Sequence, residues 1–312
     1  MFSILFPGQG SQKIGMASEF YNNLDYVKEY FSQADDILKK NLTDLILNGP
    51  KEDLDQTENT QPAIFLVSYS IFKTLEKETE FNIQDAKYFA GHSLGEYSAL
   101  CCANSITFEQ TINLLKHRGA AMQNAVPKGE GGMVAVLGIE IDQINEILKN
   151  NENKFNCYVA NDNSIGQIVV SGKLDSLELL CKILKSKEFK FIRLPVSSPF
   201  HCPLMKNATE EMKQRIYNTE FKDPEIDIIS NVTANPIKKS DEIKRLLVDQ
   251  IEKPVRWRES VNNMVKLGVD HFIELGPGKV LSGLVKRINR NVKLNQVSTF
   301  DDVKIIKNDR LK

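Results

Sequence analysis

The sequence lacks the features that mark several large classes of protein. Its 312 residues are 41% hydrophobic and 26% charged, and 40 Lys and Arg nearly balance 41 Asp and Glu, for a net charge of −1. Without a basic excess, we do not expect a nucleic-acid-binding protein. No apolar run approaches the roughly 18 residues of a membrane span, so no membrane partner is expected. The composition is that of a globular chain.

Cysteine and histidine are also scarce. The five cysteines form no C-x-x-C pair and are odd in number, so we expect reduced thiols without a disulfide framework or zinc ribbon. The N-terminus has no basic segment before its short apolar stretch, which argues against a secretory signal and favours a cytoplasmic protein. The four histidines are too scattered to predict a metal site.

The order of predicted elements indicates an α/β fold. Residues 3–6 and 86–90 are predicted strands, and helices are predicted between them and over residues 107–126, where Thr107 and Gln110 have the spacing of a capping box. Strands that alternate with helices predict a parallel sheet covered by helices. The same alternation resumes after residue 198, with predicted strands over residues 226–231 and 269–275.

The middle of the chain follows a different order. Residues 127–197 are predicted to form strand, helix, strand, strand, helix and strand, the βαββαβ order of a ferredoxin-like unit. Residues 161–164, NDNS, are typical of a turn and are predicted to separate the central pair of strands. We therefore predict a large subdomain made of residues 1–126 and 198–312, with residues 127–197 inserted as a small subdomain.

A candidate nucleophile lies between the second predicted strand and the helix that follows it. Residues 91–95, GHSLG, fit G-x-S-x-G in the strand-to-helix context of a nucleophile elbow. Such a turn presents Ser93 at a helix N-terminus, where backbone N–H groups can stabilise an oxyanion. Gln9, in the glycine loop after the first strand, could supply a second N–H group, because strand ends line the crevice of an open sheet. The alternative is an ordinary glycine-rich turn.

A nucleophilic serine requires a base, and four histidines are available. His92 adjoins Ser93 and should point away from it. His117 lies on the polar face of its helix, and His271 lies within a strand. His201 lies in a loop that leaves the inserted unit, and loops at such junctions often carry site residues. Elimination favours His201, although an ordinary loop histidine accounts for this position equally well.

Arg118 occupies an unusual position for a charged residue. It stands four residues after Leu114 and four before Met122, on the inward stripe of its helix. A buried guanidinium needs an anionic partner or a path to solvent. From the residues alone, an internal salt bridge is the simpler explanation. The other is a binding site for a carboxylate substrate, which the guanidinium fork matches.

Seven segments, spread over residues 6–281, together resemble one family. They are FPGQGSQ at 6–12, GHSLGEYSAL at 91–100, Arg118-Gly119 with Met122-Gln123, AVP at 125–127, PFH at 199–201, Gln250 with PVRW at 254–257, and ELGPGKVL at 274–281. In this order they resemble the bacterial malonyl-CoA:acyl-carrier-protein transacylases and the related acyltransferase domains of fatty-acid and polyketide synthases.

The resemblance implies a fold and a reaction. It implies an α/β-hydrolase-like large subdomain with a parallel sheet and a ferredoxin-like insert, the division that the element order also predicts. It implies ping-pong transfer of the malonyl group from malonyl-CoA to the phosphopantetheine thiol of acyl carrier protein, in support of fatty-acid biosynthesis. Ser93 would carry the malonyl ester, His201 would act as the base, and Arg118 would hold the malonyl carboxylate.

The resemblance also implies the supporting groups. The backbone N–H groups of Gln9 and Leu94 match the family's oxyanion hole, and Gln250 matches the residue whose main-chain carbonyl orients the histidine. A neutral carbonyl suffices to fix the tautomer, which explains why no acidic third residue is found. No metal or tightly bound cofactor is required. The expected partners are malonyl-CoA, coenzyme A and acyl carrier protein, and a monomer is expected.

Three alternatives stay open. A discrete acyltransferase of a polyketide synthase would look almost the same, an α/β-hydrolase-type thioesterase would resolve the acyl-enzyme with water, and a carrier-protein-binding module would have no activity. Phe200 favours malonyl over a branched acid, because its ring should crowd an α-methyl group. The insert departs from the family's usual Pro-Gly-Gln turn, since Ile165 precedes Gly166-Gln167.

Overall fold

Two separate sheets organise the chain in the computed structural model, which describes residues 1–308 and the side chains of residues 1–306. The strands in chain order are β1 (Phe2–Phe6), β2 (Tyr88–Gly91), β3 (Gly131–Leu137), β4 (Cys157–Ser164), β5 (Gln167–Lys173), β6 (Lys190–Arg193), β7 (Ile228–Ile229), β8 (Pro236–Ile237), β9 (His271–Leu275) and β10 (Lys293–Val297).

Helices cover the sheets and fill the intervals between strands. They are α1 (Ser18–Asn23), α2 (Asp25–Leu38), α3 (Leu42–Asn48), α4 (Lys51–Leu54), α5 (Thr57–Glu78), α6 (Gly95–Cys102), α7 (Phe108–Asn124), α8 (Ile141–Lys149), α9 (Leu174–Ser186), α10 (Lys206–Asn218), α11 (Ser240–Asp249), α12 (Trp257–Lys266), α13 (Val280–Ile288) and α14 (Phe300–Asn308). Within residues 1–308, none of them is both long and apolar enough to cross a membrane.

The larger sheet has the strand order β10-β9-β1-β2-β7-β8 and is parallel except for β8. Its central strand β1 is fully buried at Ile4, Leu5 and Phe6, as expected for a parallel sheet covered on both faces. The register pairs Phe6 with Gly91. The loops that follow β1 and β2 therefore emerge side by side at the carboxyl edge of the sheet.

The smaller sheet is antiparallel, with the order β4-β5-β3-β6. With α8 and α9 it has the βαββαβ order of a ferredoxin-like unit. The predicted fold class, a parallel-sheet α/β unit with a ferredoxin-like unit between its parts, is confirmed. The subdomain boundaries at residues 126–127 and 197–198 remain a prediction. The capping box of Thr107 and Gln110 at the start of α7 is confirmed.

The turn predicted for residues 161–164 is wrong. Strand β4 continues through Ser164, and the chain turns at Gly166, whose φ of +70° suits glycine. Asp162 and Asn163 stay in this strand because distant side chains satisfy their polar groups. The Asp162 carboxylate accepts hydrogen bonds of 2.8 and 3.0 Å from Arg258, and the Asn163 side-chain oxygen lies 2.8 Å from His92. These tertiary partners outweigh the local preference for a turn.

Two glycines permit the close packing of helix α6 against the sheet. A Cβ atom at Gly91 would lie 1.9 Å from the Gly95 carbonyl group, and one at Gly95 would lie 2.2 Å from the Phe6 backbone oxygen. Helix α7 also packs closely against α5, since a Cβ at Gly119 would lie 2.6 Å from the Glu58 Cα. These approaches bring the start of α6 and the middle of α7 to the same end of the sheet.

Substitution of Gly95 by alanine should destabilise the protein strongly, because the added methyl group meets backbone atoms that cannot move aside. We expect a loss of about 3 kcal/mol or more in the free energy of unfolding, measured by denaturant titration. Gly283→Ala is the matched control: its Cβ would meet no atom within 4 Å inside α13, so it should stabilise by about 0.5–1 kcal/mol. Equal stabilities of the two variants would contradict the packing argument.

Candidate active site

Ser93 occupies a strained turn between β2 and α6. Its φ is +54°, and a non-glycine residue in this left-handed region costs about 1–3 kcal/mol. The side chain of Asn231 holds the turn through hydrogen bonds on both sides of it. The Asn231 amide oxygen accepts a hydrogen bond from the Ser93 N–H at 2.7 Å, and its nitrogen donates to the Gly91 carbonyl at 2.7 Å. The arrangement is that of a nucleophile elbow.

Ser93 and His201 are in hydrogen-bond contact although 108 positions separate them. The distance from Ser93 Oγ to His201 Nε2 is 2.8 Å, and His201 Nδ1 lies 2.7 Å from the Gln250 main-chain oxygen. Because a carbonyl can only accept, Nδ1 must carry the proton. Nε2 is then left with its lone pair facing the serine hydroxyl.

The environment of His201 keeps its imidazole neutral. The side chain is 3% exposed, and burial, reinforced by the nearby positive charge of Arg118, lowers its pKa to about 3. A neutral imidazole at pH 7 can accept the Ser93 proton at once, without first losing one of its own.

Arg118 is fully buried beside the same hydroxyl. Its guanidinium donates to the side-chain oxygens of Gln61 and Gln250, each at 2.8 Å, and to Ser93 Oγ at 3.1 Å. Among the described residues, no acceptor hydrogen-bonds to its Nε–H. Among residues 1–308, no Asp or Glu lies within ion-pair distance of Arg118, so the internal salt bridge that the sequence favoured does not form. A cation without a directly paired anion is left at the site, with Glu96 behind Gln250 as an acidic neighbour.

The two proposed oxyanion donors face the same space. Gln9 and Leu94 line a cavity of about 140 Å³ together with Ser93, Arg118, Phe200 and His201. Within the described part of the chain, hydrogen bonds engage the backbone N–H groups of Ser93 and Gly95 but not those of Gln9 or Leu94. Both N–H groups are therefore free to receive a developing negative charge.

Sequence reasoning missed a set of buried polar groups behind the cavity. The side-chain nitrogen of Gln250 donates to Glu96 at 2.6 Å and to the Ser93 carbonyl at 3.1 Å, and the Asn231 N–H donates to Glu96 at 3.2 Å. Glu96 is the only charged residue of α6. A single acid in an otherwise uncharged helix is a sign, readable in the sequence, that this acid is buried. Asn231 carries no comparable signal, because its role depends on contacts with residues far away in the chain.

The remaining histidines lie outside this contact. His92 directs Nε2 to Asn163 at 2.8 Å and packs against the ring of Trp257, and His271 Nε2 lies 2.7 Å from Asn295. His117 is partly exposed on α7. Among residues 1–308, no three side chains of His, Cys, Asp or Glu are grouped as a metal site requires.

Glu96 should make the stability of the protein depend on pH. Burial raises its pKa from the ordinary 4.5 to about 7, so its neutral form contributes stability that is complete below pH 4.5 and is lost as the pH rises through 7. Glu96→Gln does not titrate. Its free energy of unfolding should therefore rise relative to wild type by up to about 3 kcal/mol between pH 5 and pH 8.

Denaturant titrations of the wild type and of Glu96→Gln at several pH values measure this difference. The contributions of the other titrating groups are the same in both proteins and cancel. A difference that stays constant from pH 5 to pH 8 would contradict the raised pKa of Glu96.

The chain is similar to acyltransferases along nearly its whole length. The acyl transferase domain model matches residues 4–305. A Bacillus subtilis (strain 168) protein named malonyl CoA-acyl carrier protein transacylase is 41% identical over 305 residues, which cover 97% of this chain and 95% of that protein. The crystal structure of an acyl-carrier-protein-S-malonyltransferase from Bartonella henselae matches with a TM-score of 0.94 at 38% identity and 97% coverage of both chains. A structure of a type II polyketide synthase acyl-carrier protein in complex with its malonyl-transacylase matches with a TM-score of 0.93, at 36% identity and 98% coverage of both chains.

Proposed function

The chain belongs to the acyl transferase domain family, and we propose that it transfers the malonyl group of malonyl-CoA to the phosphopantetheine thiol of an acyl carrier protein. One observation carries the choice of substrate. The Arg118 guanidinium is buried, forms no salt bridge with an acid of residues 1–306, and lies 3.1 Å from Ser93 Oγ. An acyl group on Ser93 that ends in a carboxylate would supply the missing anion in a bidentate contact.

In the first half of the reaction, Ser93 Oγ attacks the thioester carbon of malonyl-CoA and its proton passes to His201 Nε2. The N–H groups of Gln9 and Leu94 stabilise the oxyanion. The carbon–sulfur bond then breaks, and the proton on His201 passes to the sulfur of coenzyme A. A malonyl ester on Ser93 remains.

In the second half, His201 takes the proton of the phosphopantetheine thiol, and the resulting sulfur attacks the malonyl ester. Collapse of the second oxyanion breaks the ester bond and returns the proton to Ser93 Oγ. The Gln250 carbonyl keeps the same tautomer of His201 through both halves, and Arg118 holds the carboxylate throughout. These residues need no metal or tightly bound cofactor for either half.

The alternatives differ in the acceptor. A thioesterase that hydrolyses simple acyl groups has no use for a buried cation beside its nucleophile, so Arg118 favours the transferase. One of the similar solved structures holds a type II polyketide synthase acyl-carrier protein in complex with its malonyl-transacylase, and a discrete polyketide acyltransferase is therefore the second candidate. We propose fatty-acid biosynthesis as the pathway and a cytoplasmic monomer as the working form.

Ser93→Ala should abolish the covalent malonyl adduct, because Ser93 is the only residue of the described part of the chain whose hydroxyl hydrogen-bonds to His201. Intact-protein mass spectrometry after exposure to malonyl-CoA measures the adduct. Ser98→Ala is the matched control, since the Ser98 hydroxyl is buried in α6, five residues after Ser93, and has no hydrogen-bond partner among the described residues; its loss should leave the adduct intact. His201→Ala should slow adduct formation by roughly 10²–10⁴-fold.

A full adduct on Ser93→Ala would exclude Ser93 as the nucleophile. The same experiment separates transferase from hydrolase. The transferase should release one equivalent of coenzyme A in the absence of carrier protein, whereas continuous release would identify a hydrolase.

Arg118→Ala should reduce kcat/KM for malonyl-CoA far more than for acetyl-CoA, which has no distal carboxylate. A charge-assisted contact of this kind is worth roughly 1.5–3 kcal/mol, or about 10- to 150-fold in the ratio of the two constants. Arg118→Lys should recover only part of the preference, because an ammonium group cannot form the two-point contact. Lys116→Ala, two residues earlier in α7, is the control and should leave the ratio unchanged.

Melting temperatures of the same variants complete the test of Arg118. Equal losses for both thioesters, together with a large fall in melting temperature, would show that Arg118 serves the fold and does not select the substrate.

A further inference from the structure

A buried carboxylate lies one layer behind the reacting groups. Glu96, the second residue of α6, is 1% exposed. One of its oxygens, Oε2, accepts hydrogen bonds from the side-chain nitrogen of Gln250 at 2.6 Å and from the backbone N–H of Asn231 at 3.2 Å. The side chain of Glu96 makes no hydrogen bond to Ser93, His201 or Arg118. Apart from the direct charge interaction between Glu96 and Arg118, its influence on these residues passes through its two hydrogen-bond partners.

The first partner has only one favourable orientation. The Gln250 amide has an oxygen that accepts from Arg118 at 2.8 Å and a nitrogen that donates to Glu96 and to the Ser93 carbonyl. If the amide were reversed, its nitrogen would face the guanidinium donors and its oxygen would face the Ser93 carbonyl, with no hydrogen bond to either. Glu96, whose oxygen accepts the amide nitrogen at 2.6 Å, holds the same orientation that Arg118 and the Ser93 carbonyl require.

The same residue supports the base. The main-chain carbonyl of Gln250 accepts the hydrogen bond from His201 Nδ1 at 2.7 Å. Anchoring the Gln250 side chain at Glu96 thus restrains the carbonyl that fixes the tautomer of His201. Gln250 thus links Arg118, which is proposed to bind the substrate carboxylate, with His201, which is proposed to move the proton.

The second partner supports the nucleophile. Asn231 holds the elbow through hydrogen bonds to Gly91 and to the Ser93 N–H. Because Glu96 accepts the backbone N–H of Asn231, it restrains the residue that holds the serine in its left-handed conformation. The contacts from Glu96 therefore reach all three reacting groups through two intermediaries.

We propose that Glu96 is a positioning residue whose carboxylate oxygen anchors Gln250 and Asn231, and through them orients Arg118, His201 and Ser93 for acyl transfer. The inference rests on the proposed function for the roles of those three residues. The competing interpretation is that Glu96 satisfies buried hydrogen bonds and serves only the fold. The two interpretations differ in whether substrate preference changes when Glu96 is replaced.

The variants Glu96→Ala, Glu96→Met and Glu96→Gln separate anchoring from folding. Alanine removes the acceptor, and methionine removes it while still filling the space, which provides folded protein if alanine leaves too large a cavity. Both should lower kcat/KM for malonyl-CoA by at least about tenfold, the effect of one buried group left unsatisfied. Both should also lower the preference for malonyl-CoA over acetyl-CoA, because Arg118 loses its oriented acceptor. The Glu96→Gln variant keeps one side-chain oxygen that can accept the hydrogen bonds from Gln250 and Asn231, so it should recover most of the rate and of the preference.

Glu274→Ala is the matched control. Glu274 is equally buried, but its carboxylate accepts the backbone N–H groups of Leu281 and Ser282 at the start of α13 and does not touch Gln250 or Asn231. This variant should lower the melting temperature without changing the malonyl-to-acetyl preference. If Glu96→Met shows the same pattern as Glu274→Ala, with stability lost and preference unchanged, the proposal is overturned.

A second measurement does not depend on the acyl donor. Phenylmethylsulfonyl fluoride reacts with an activated serine: the Ser93 oxygen–sulfur bond forms, fluoride leaves and His201 takes the proton. The proposal predicts slower labelling of Ser93 in Glu96→Ala and Glu96→Met, with Glu96→Gln closer to wild type. Equal labelling rates in all four proteins would overturn the proposal. Normal labelling of the wild type without any malonyl adduct would instead overturn the proposed substrate, and the labelling rates would still decide the role of Glu96.

Discussion

The burial of one cation constrains the arrangement of the whole site. Arg118 is 1% exposed, and an arginine keeps its charge even when buried. In place of a carboxylate, the side-chain oxygens of Gln61 and Gln250 accept its hydrogen bonds. Neutral acceptors hold the guanidinium in place without cancelling its charge, so the position stays attractive to an anion that arrives with a substrate.

The backbone around the serine is set by the packing of glycine against strand ends. Helix α6 can begin directly above β1 only because Gly95 lies against the Phe6 carbonyl, and the loop after β1 lies against the elbow because Gly8 approaches the His92 carbonyl. The free N–H groups of Gln9 and Leu94 thus come to one edge of the parallel sheet. The smaller sheet closes the other side of the cavity, which is lined there by Met133 of β3, Val169 of β5 and Leu194 just after β6.

Much of this arrangement was predictable because its causes are local. The apolar run of β1, the capping box of α7 and the elbow at Ser93 each depend on residues within about ten positions. The turn predicted at residues 161–164 failed because Asp162 and Asn163 are satisfied by Arg258 and His92, which no local pattern reveals. In the same way, the sequence favoured a salt bridge for Arg118, whereas the structure shows that the side-chain amides of Gln61 and Gln250 accept its hydrogen bonds.

By itself, the sequence determined the alternation of strands and helices, the insertion of a βαββαβ unit and the candidate nucleophile, since hydrophobic periodicity and glycine spacing act over short stretches of chain. Only the tertiary structure decided which side chains meet. Ser93 and His201 are 108 positions apart, and Arg118 and Gln250 are 132 positions apart. The tautomer of His201, the unmet charge of Arg118 and the anchoring of Gln250 by Glu96 all follow from such long-range contacts. Hydrogen bonds between distant residues depend on how the sheets and helices pack, and no local pattern in the chain encodes that packing.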